Sequence, residues 1–167
     1  MPRFLNLEIH KEEFSFSAGH FTIFSATERE SLHGHNYHVS ILFNVKIEHN
    51  GLSFDYQHYK RKLHKLCDQL DRRFLLPAKS PYLRLEEADG FWIGHFNEKK
   101  IPLPKEDVCI LPLSNITIEE LSHWFLEKLI ENQAEIIEHA IAKLVVKVFN
   151  GPNQSAEAHW ARNLSFD

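Results

Sequence analysis

The stretch "EIHKEEFSFSAGHF", residues 8–21, decides how this chain is read. Phe14, Phe16, Ala18 and His20 fall at every second position, with Glu13, Ser15 and Ser17 between them. A period of two is a strand with one face toward a core, and His20 closes that face. The next block, "ERESLHGHNYHV" at 28–39, places His33, His35 and His38 close together. Residues i and i+2 of a strand point the same way, so His33 and His35 can face one point across Gly34, which leaves room for close backbone approach. If the two strands pair, His20 joins them. Three neutral imidazoles leave a tetrahedral Zn²⁺ with one open position, the pattern of a catalytic site. Such an ion polarises a carbonyl or hydroxyl, or lowers the pKa of bound water to about 7. His38 lies at odd parity from His35, faces the other way and is read as structural. The plain alternative is chance, because the chain holds twelve histidines.

Outward from these strands, the second runs from about Asn36 to Ile47 and ends before the turn "HNG". From Asp55 to Arg73 the period becomes helical, with Leu63, Leu66, Cys67 and Leu70 on one stripe, Asp55 as N-cap and "LLPAKSP" as the stop. "LRLEEADGFWIGHF" at 83–96 reads as a hairpin about Asp89-Gly90. A second helix starts at Thr117, where Thr117-x-x-Glu120 forms a capping box ahead of Ile118, Leu121, Phe125 and Leu129. "IAKLVVKVF" and "SAEAHWARNLSF" then read as two strands paired across "NGPNQ". The order β-β-α-hairpin-α-β-β is an α+β domain: an antiparallel sheet with helices on one face.

With 167 residues the chain is most simply one domain, able to bury about 70% of its unfolded surface. A formal charge of −4 argues against a nucleic-acid surface. The basic run "YKRKLHK" at 59–65 is the solvated face of a helix. No apolar run reaches the roughly 20 residues of a membrane span, and "MPRFLNLEIHKEEF" has no signal-peptide core. The expected compartment is the cytoplasm. Two cysteines, Cys67 and Cys109, make no disulfide framework and are expected in the core.

"FSAGH" at 16–20, "LHGHNYHV" at 32–39, "GLSFDYQHYK" at 51–60, "QLDRRFLLP" at 69–77, "NITIEEL" at 115–121 and "VKVFNGPNQSAEA" in the closing strands resemble the 6-pyruvoyltetrahydropterin synthase family. That family includes the 6-carboxytetrahydropterin synthases of queuosine synthesis. The resemblance implies a tunnelling fold across residues 1–167: an antiparallel four-stranded sheet with two helices on one face, plus an inserted hairpin at about 81–103. It implies zinc on His20, His33 and His35, a homo-oligomer (a hexamer or smaller) with active sites at subunit interfaces, and 7,8-dihydroneopterin triphosphate as substrate.

Three positions depart from the family pattern. Arg29 stands where many members place a catalytic cysteine. Glu30, in Glu-x-x-His-Gly-His, resembles the variant in which glutamate replaces that cysteine and a retro-aldol-like cleavage gives 6-hydroxymethyl-7,8-dihydropterin for folate synthesis. A carboxylate beside a zinc-bound hydroxyl can serve as general base; the plain reading of Glu30 is one charge in a solvated loop. The family's Leu-Asp-His reads Leu70-Asp71-Arg72 here. Asp71 is expected to assist, but a guanidinium shuttles no protons near neutral pH, so Arg72 would grip a phosphate or pair with Asp71. Asn150 takes the place of the glutamate that anchors the pterin, which weakens a charged bidentate contact. Glu157 could stand in only if "GPNQSA" folded back. Thr117 and Glu119 match the substrate-binding helix start, with Ile116 in place of a proline. Two kinds of function follow: a zinc-dependent lyase acting on a dihydropterin side chain, or an altered paralogue that binds zinc and a pterin-like or other heterocycle without the family reaction. A third reading keeps turnover but on a related heterocycle.

Overall fold

The computed structural model describes residues 3–48 and 50–162. Two long strands open the chain, β1 (Arg3–His20) and β2 (His33–Ile47), followed by helix α1 (Gln57–Leu70) and strand β3 (Arg73–Pro77). Strands β4 (Arg84–Ala88), β5 (Phe91–Phe96), β6 (Lys99–Pro104) and β7 (Val108–Leu111) come next. Helices α2 (Ile118–Ile130) and α3 (Gln133–Glu138) and strands β8 (Ile141–Asn150) and β9 (Ser155–Ala161) complete the order. Among the described residues, no helix is long and apolar enough to cross a membrane.

The expected four-stranded antiparallel sheet is present as β1-β2-β8-β9, but it is wider than the sequence suggests. Strands β3 and β7 extend it beyond β1, each running parallel to its neighbour, to give the order β7-β3-β1-β2-β8-β9. The helix stop "LLPAKSP" begins inside β3, and β7 is a further strand that no sequence pattern marks. Both are short strands whose mainly apolar residues carry no period. The expected hairpin about Asp89-Gly90 does form, with both turn residues at positive φ (51° and 81°). A second turn at Asn97-Glu98, also at positive φ, adds β6, so this stretch is a separate three-stranded sheet.

The core lies between the main sheet and α1 and α2. Phe14, Phe16, Tyr37, Val39, Ile41 and Phe43 are buried from the sheet, and Leu63, Cys67, Leu70, Leu121 and Phe125 from the helices. Ile9 and Phe14 both point inward despite opposite parity. The irregularity between His10 and Ser15 absorbs the difference and sets the second half of β1 in phase with His20. A smaller cluster of Phe21, Ile23, Leu76, Leu83, Phe96 and Ile101 seats the inserted sheet beside the end of β1. Helix α1 begins two residues after Asp55, whose Oδ1 accepts from Gln57 N at 2.9 Å, while Tyr56 is the N-cap residue. Thr117 caps α2 by accepting from Glu120 N at 3.3 Å. The capping box is not reciprocal: the Glu120 carboxylate accepts from Ser114 N at 3.2 Å.

Candidate metal centre and adjoining cleft

The pairing of β1 with β2 sets His20 opposite His33 and Ala18 opposite His35. The three imidazoles therefore meet where the sheet leaves its helical cover, with candidate ligand atoms all within 4.8 Å of one another. His20 is buried, and its Nδ1 lies 2.9 Å from the Ile116 carbonyl. A carbonyl only accepts, so Nδ1 carries the proton and Nε2 presents a lone pair. That Nε2 is buried with no hydrogen-bond partner. His33 repeats the arrangement, its Nδ1 donating to Ser31 O at 2.7 Å. Its Nε2 stands 3.1 Å from Nε2 of His35. A metal-binding histidine usually donates its far N–H to a carbonyl or carboxylate in this way. Burial, partly offset by the Ile116 contact, holds His20 below its ordinary pKa; burial and then the His33 charge do the same for His35. Three ring nitrogens converging on one point, with the buried His20 Nε2 unpartnered, fit a cation.

Gly34 permits the approach of the strands. A Cβ there would lie 2.9 Å from the Ala18 carbonyl oxygen. Gly34→Ala is expected to push β1 from β2 at the cage, costing about 1–3 kcal/mol as an overpacked contact. Thermal melts with and without zinc check it: the alanine variant should melt lower and gain less from the metal than the unchanged protein.

Glu30 comes to the cage from the loop between β1 and β2. Its Oε2 accepts from Thr22 N at 2.9 Å and stands 3.9 Å from His33 Nε2. Partial burial works to raise this carboxyl, but the Thr22 hydrogen bonds and the His33 charge outweigh it and keep the group below its ordinary range, hence ionised at neutral pH. A cleft of about 750 Å³ gathers His20, His35 and Glu30 with Thr117, Glu119 and Asn150. Asn150 pairs across the sheet with Tyr37, and its Oδ1 is buried without a partner. Thr117 accepts from the helix amide with one lone pair of its hydroxyl and keeps its O–H to donate.

Asp71 and Arg72 are not in that cleft. Asp71 Oδ1 accepts from Ser17 N at 2.8 Å, and Arg72 N donates to Ser17 O at 2.7 Å. Ser17 and Asn36, linked through their side chains at 2.6 Å, point to the other face of the sheet from His20 and His35. Arg72 Nε lies 3.3 Å from Asp71 Oδ2, and Arg72 borders a second cavity of about 510 Å³ on that side. Glu157 is held on β9 by Lys147 and His159, at 3.4 and 3.1 Å, outside the cleft. Neither cysteine reaches the cleft. Cys67 is buried in the core, where burial, then Asp68 and Asp71, push its thiol up to about 12. Cys109 sits half-buried on β7.

Sequence reasoning passed over three residues that shape the cleft. Tyr37 follows His35 by two and shares its face, so the same parity argument would have found it; its ring centroid is 5.7 Å from that of His35. Phe24 lines the cleft although 62% exposed, and no periodic signal marks it. Thr22 acts through its backbone amide, which no side-chain pattern reveals.

Fold and site together describe a cluster of three histidines on a tunnelling-fold sheet. The chain belongs to the family described as 6-pyruvoyl tetrahydropterin synthase, which it matches over residues 8–160. The crystal structure of 6-pyruvoyl tetrahydropterin synthase from Plasmodium vivax superimposes with a TM-score of 0.90 at 30% identity, covering 96% of this chain and 99% of that one. A second structure of the Plasmodium vivax protein, with TM-score 0.90, 29% identity and coverage of 96% and 99%, carries alanine in place of a glutamate described as a catalytic residue. A protein of Pyrococcus abyssi, named as a 6-carboxy-5,6,7,8-tetrahydropterin synthase, is 28% identical over 143 residues, which is 85% of this chain and 83% of that protein.

Proposed function

We propose that the chain is a zinc-dependent lyase acting on the side chain of 7,8-dihydroneopterin triphosphate, with 6-hydroxymethyl-7,8-dihydropterin as the product. The observation that carries this reading is Glu30, an ionised carboxylate beside the histidine cage in a cleft that holds no thiol. The description of a glutamate as catalytic in the Plasmodium vivax relative supports it. A zinc ion held by His20, His33 and His35 would supply Lewis acidity toward a side-chain hydroxyl. Glu30 takes the proton of the C2′ hydroxyl as the C1′–C2′ bond breaks; the C2′–C3′ fragment leaves as an aldehyde carrying the triphosphate, the electron pair is taken up at C1′ in conjugation with the pterin, and the proton held by Glu30 returns to C1′ to complete the 6-hydroxymethyl group. Asn150 Oδ1, buried and free, accepts from a ring N–H of the pterin, and Thr117 and Glu119 border the same heterocycle.

Asp71 and Arg72 act from a neighbouring copy. Their place beside the Ser17 backbone, outside the cleft, suits active sites at the junctions of a homo-oligomer, where the Asp71 of one subunit assists and Arg72 meets phosphate. The protein is read as cytoplasmic.

Asn150 favours a second reading. A neutral amide where the family pattern has a carboxylate anchors a pterin less firmly, so a paralogue that binds zinc and a heterocycle without the family reaction is the alternative. Incubating zinc-loaded protein with 7,8-dihydroneopterin triphosphate and following products by mass separates the two. Appearance of 6-hydroxymethyl-7,8-dihydropterin supports the lyase. One zinc per chain with no product would sink it in favour of the binding protein.

A further inference from the structure

The segment Asn115–Ile116 stands between the two halves of the site. Asn115 Oδ1 accepts from Ile23 N at 3.1 Å and from Ile116 N at 3.0 Å, and its Nδ2 donates to Ile23 O at 2.8 Å. Ile23 and Ile116 are 5% and 0% exposed, so water does not readily replace this amide at either backbone. On one side, Ile23 adjoins Thr22, which grips Glu30 twice: Thr22 N donates to the carboxylate and Thr22 O accepts from Glu30 N, both at 2.9 Å. Ile23 also bridges to Arg29, so the base of the Glu30 loop is fixed to the residue that Asn115 holds. On the other side, Ile116 O receives the Nδ1 proton of His20, and that bond fixes both tautomer and ring orientation.

We infer that Asn115 is a positioning residue that sets the Glu30 carboxylate and the His20 lone pair in one frame. This rests on the reading of Glu30 as base and of the three histidines as metal ligands. The chemistry of the side chain fits the task closely. A primary amide offers an oxygen with two acceptor sites and a nitrogen donor at fixed separation, and all three are used here. Aspartate would keep both acceptor contacts and lose the donor, setting an oxygen against Ile23 O. Alanine would leave two buried N–H groups and one carbonyl without partners.

The test compares Asn115→Ala and Asn115→Asp with the unchanged protein, using zinc affinity by chelator competition, the visible spectrum of the cobalt(II)-substituted cage, amide exchange at Ile23 and Ile116, and kcat against KM. Loss of an outer-shell partner typically costs 10–100-fold in metal affinity or activity; Asn115→Ala displaces that partner, the Ile116 carbonyl, without removing it, so zinc affinity should fall by up to that range and the cobalt spectrum should change. Asn115→Asp should keep the zinc affinity and cobalt spectrum near those of the unchanged protein, with faster exchange at Ile23 and lowered kcat at nearly unchanged KM. That partial rescue is what general destabilisation would not produce. Wild-type affinity and spectrum in Asn115→Ala would overturn the inference, and so would equal losses in both variants. If Asn115→Ala does not fold, the aspartate variant decides through the same split. Should the unchanged protein bind zinc but turn over no pterin, the lyase reading fails on its own, while affinity, spectrum and exchange still decide the role of Asn115.

Discussion

Replacing Glu30 by alanine is expected to lower kcat/KM on the dihydropterin substrate by about 10²–10⁴, the range a positioned general base contributes, while zinc content stays unchanged. The geometry gives both halves of that expectation. The carboxylate is ionised and borders the cleft beside His33, yet the cage is complete in His20, His33 and His35 without it. Alanine also frees the Thr22 amide that the carboxylate accepts from. Glu30→Gln separates the two effects, because its carbonyl can still accept from Thr22 N while its charge is gone. The glutamine variant should lose nearly as much turnover as alanine. Near-normal turnover with glutamine would remove Glu30 from the role of base and reduce it to a brace for the loop.

His20→Ala should strip the metal. Of the three candidate ligands only His20 is buried, and its Nε2 is a lone pair with no other partner. An unsatisfied buried polar atom costs about 1–3 kcal/mol, so the metal-free protein carries a penalty that a bound ion relieves. At a zinc concentration about 1,000 times its Kd, one site stabilises the fold by about 4 kcal/mol. Zinc addition should therefore raise the melting temperature of the unchanged protein by several degrees and leave that of His20→Ala almost where it was. Metal analysis after gel filtration should give one ion per chain for the first and far less for the second. Equal thermal responses would show that zinc binds elsewhere.

The cage was legible because it depends on strand parity and on one pairing. A side-chain period of two fixes which residues share a face, and His20, His33 and His35 needed only that the two strands pair as antiparallel neighbours, which the loop between them permits. The helix stripes and the Thr117 cap were legible for similar reasons, since their signals repeat within a few residues. Strand β6 was hidden by its turn: Asn97 and Glu98 both take positive φ, and glutamate there gives none of the glycine signal by which such turns are recognised. Strands β3 and β7 were hidden because they are short, mainly apolar without alternation, and paired in parallel with partners distant in sequence.

By itself the sequence determined the local alternation, the helical stripes and the set of histidines, because sterics and side-chain direction act over a few residues. Only the tertiary structure decided what those groups meet. It set Asn150 in the cleft with a free buried oxygen, held Asp71 and Arg72 against the Ser17 backbone outside that cleft, and brought Asn115 between Glu30 and His20. Those placements come from register between distant strands and from hydrogen bonds such as that between His20 and Ile116, 96 positions apart in the chain. No local pattern carries them, because the cost of leaving a buried polar group unpaired is settled only when the chain has closed on itself.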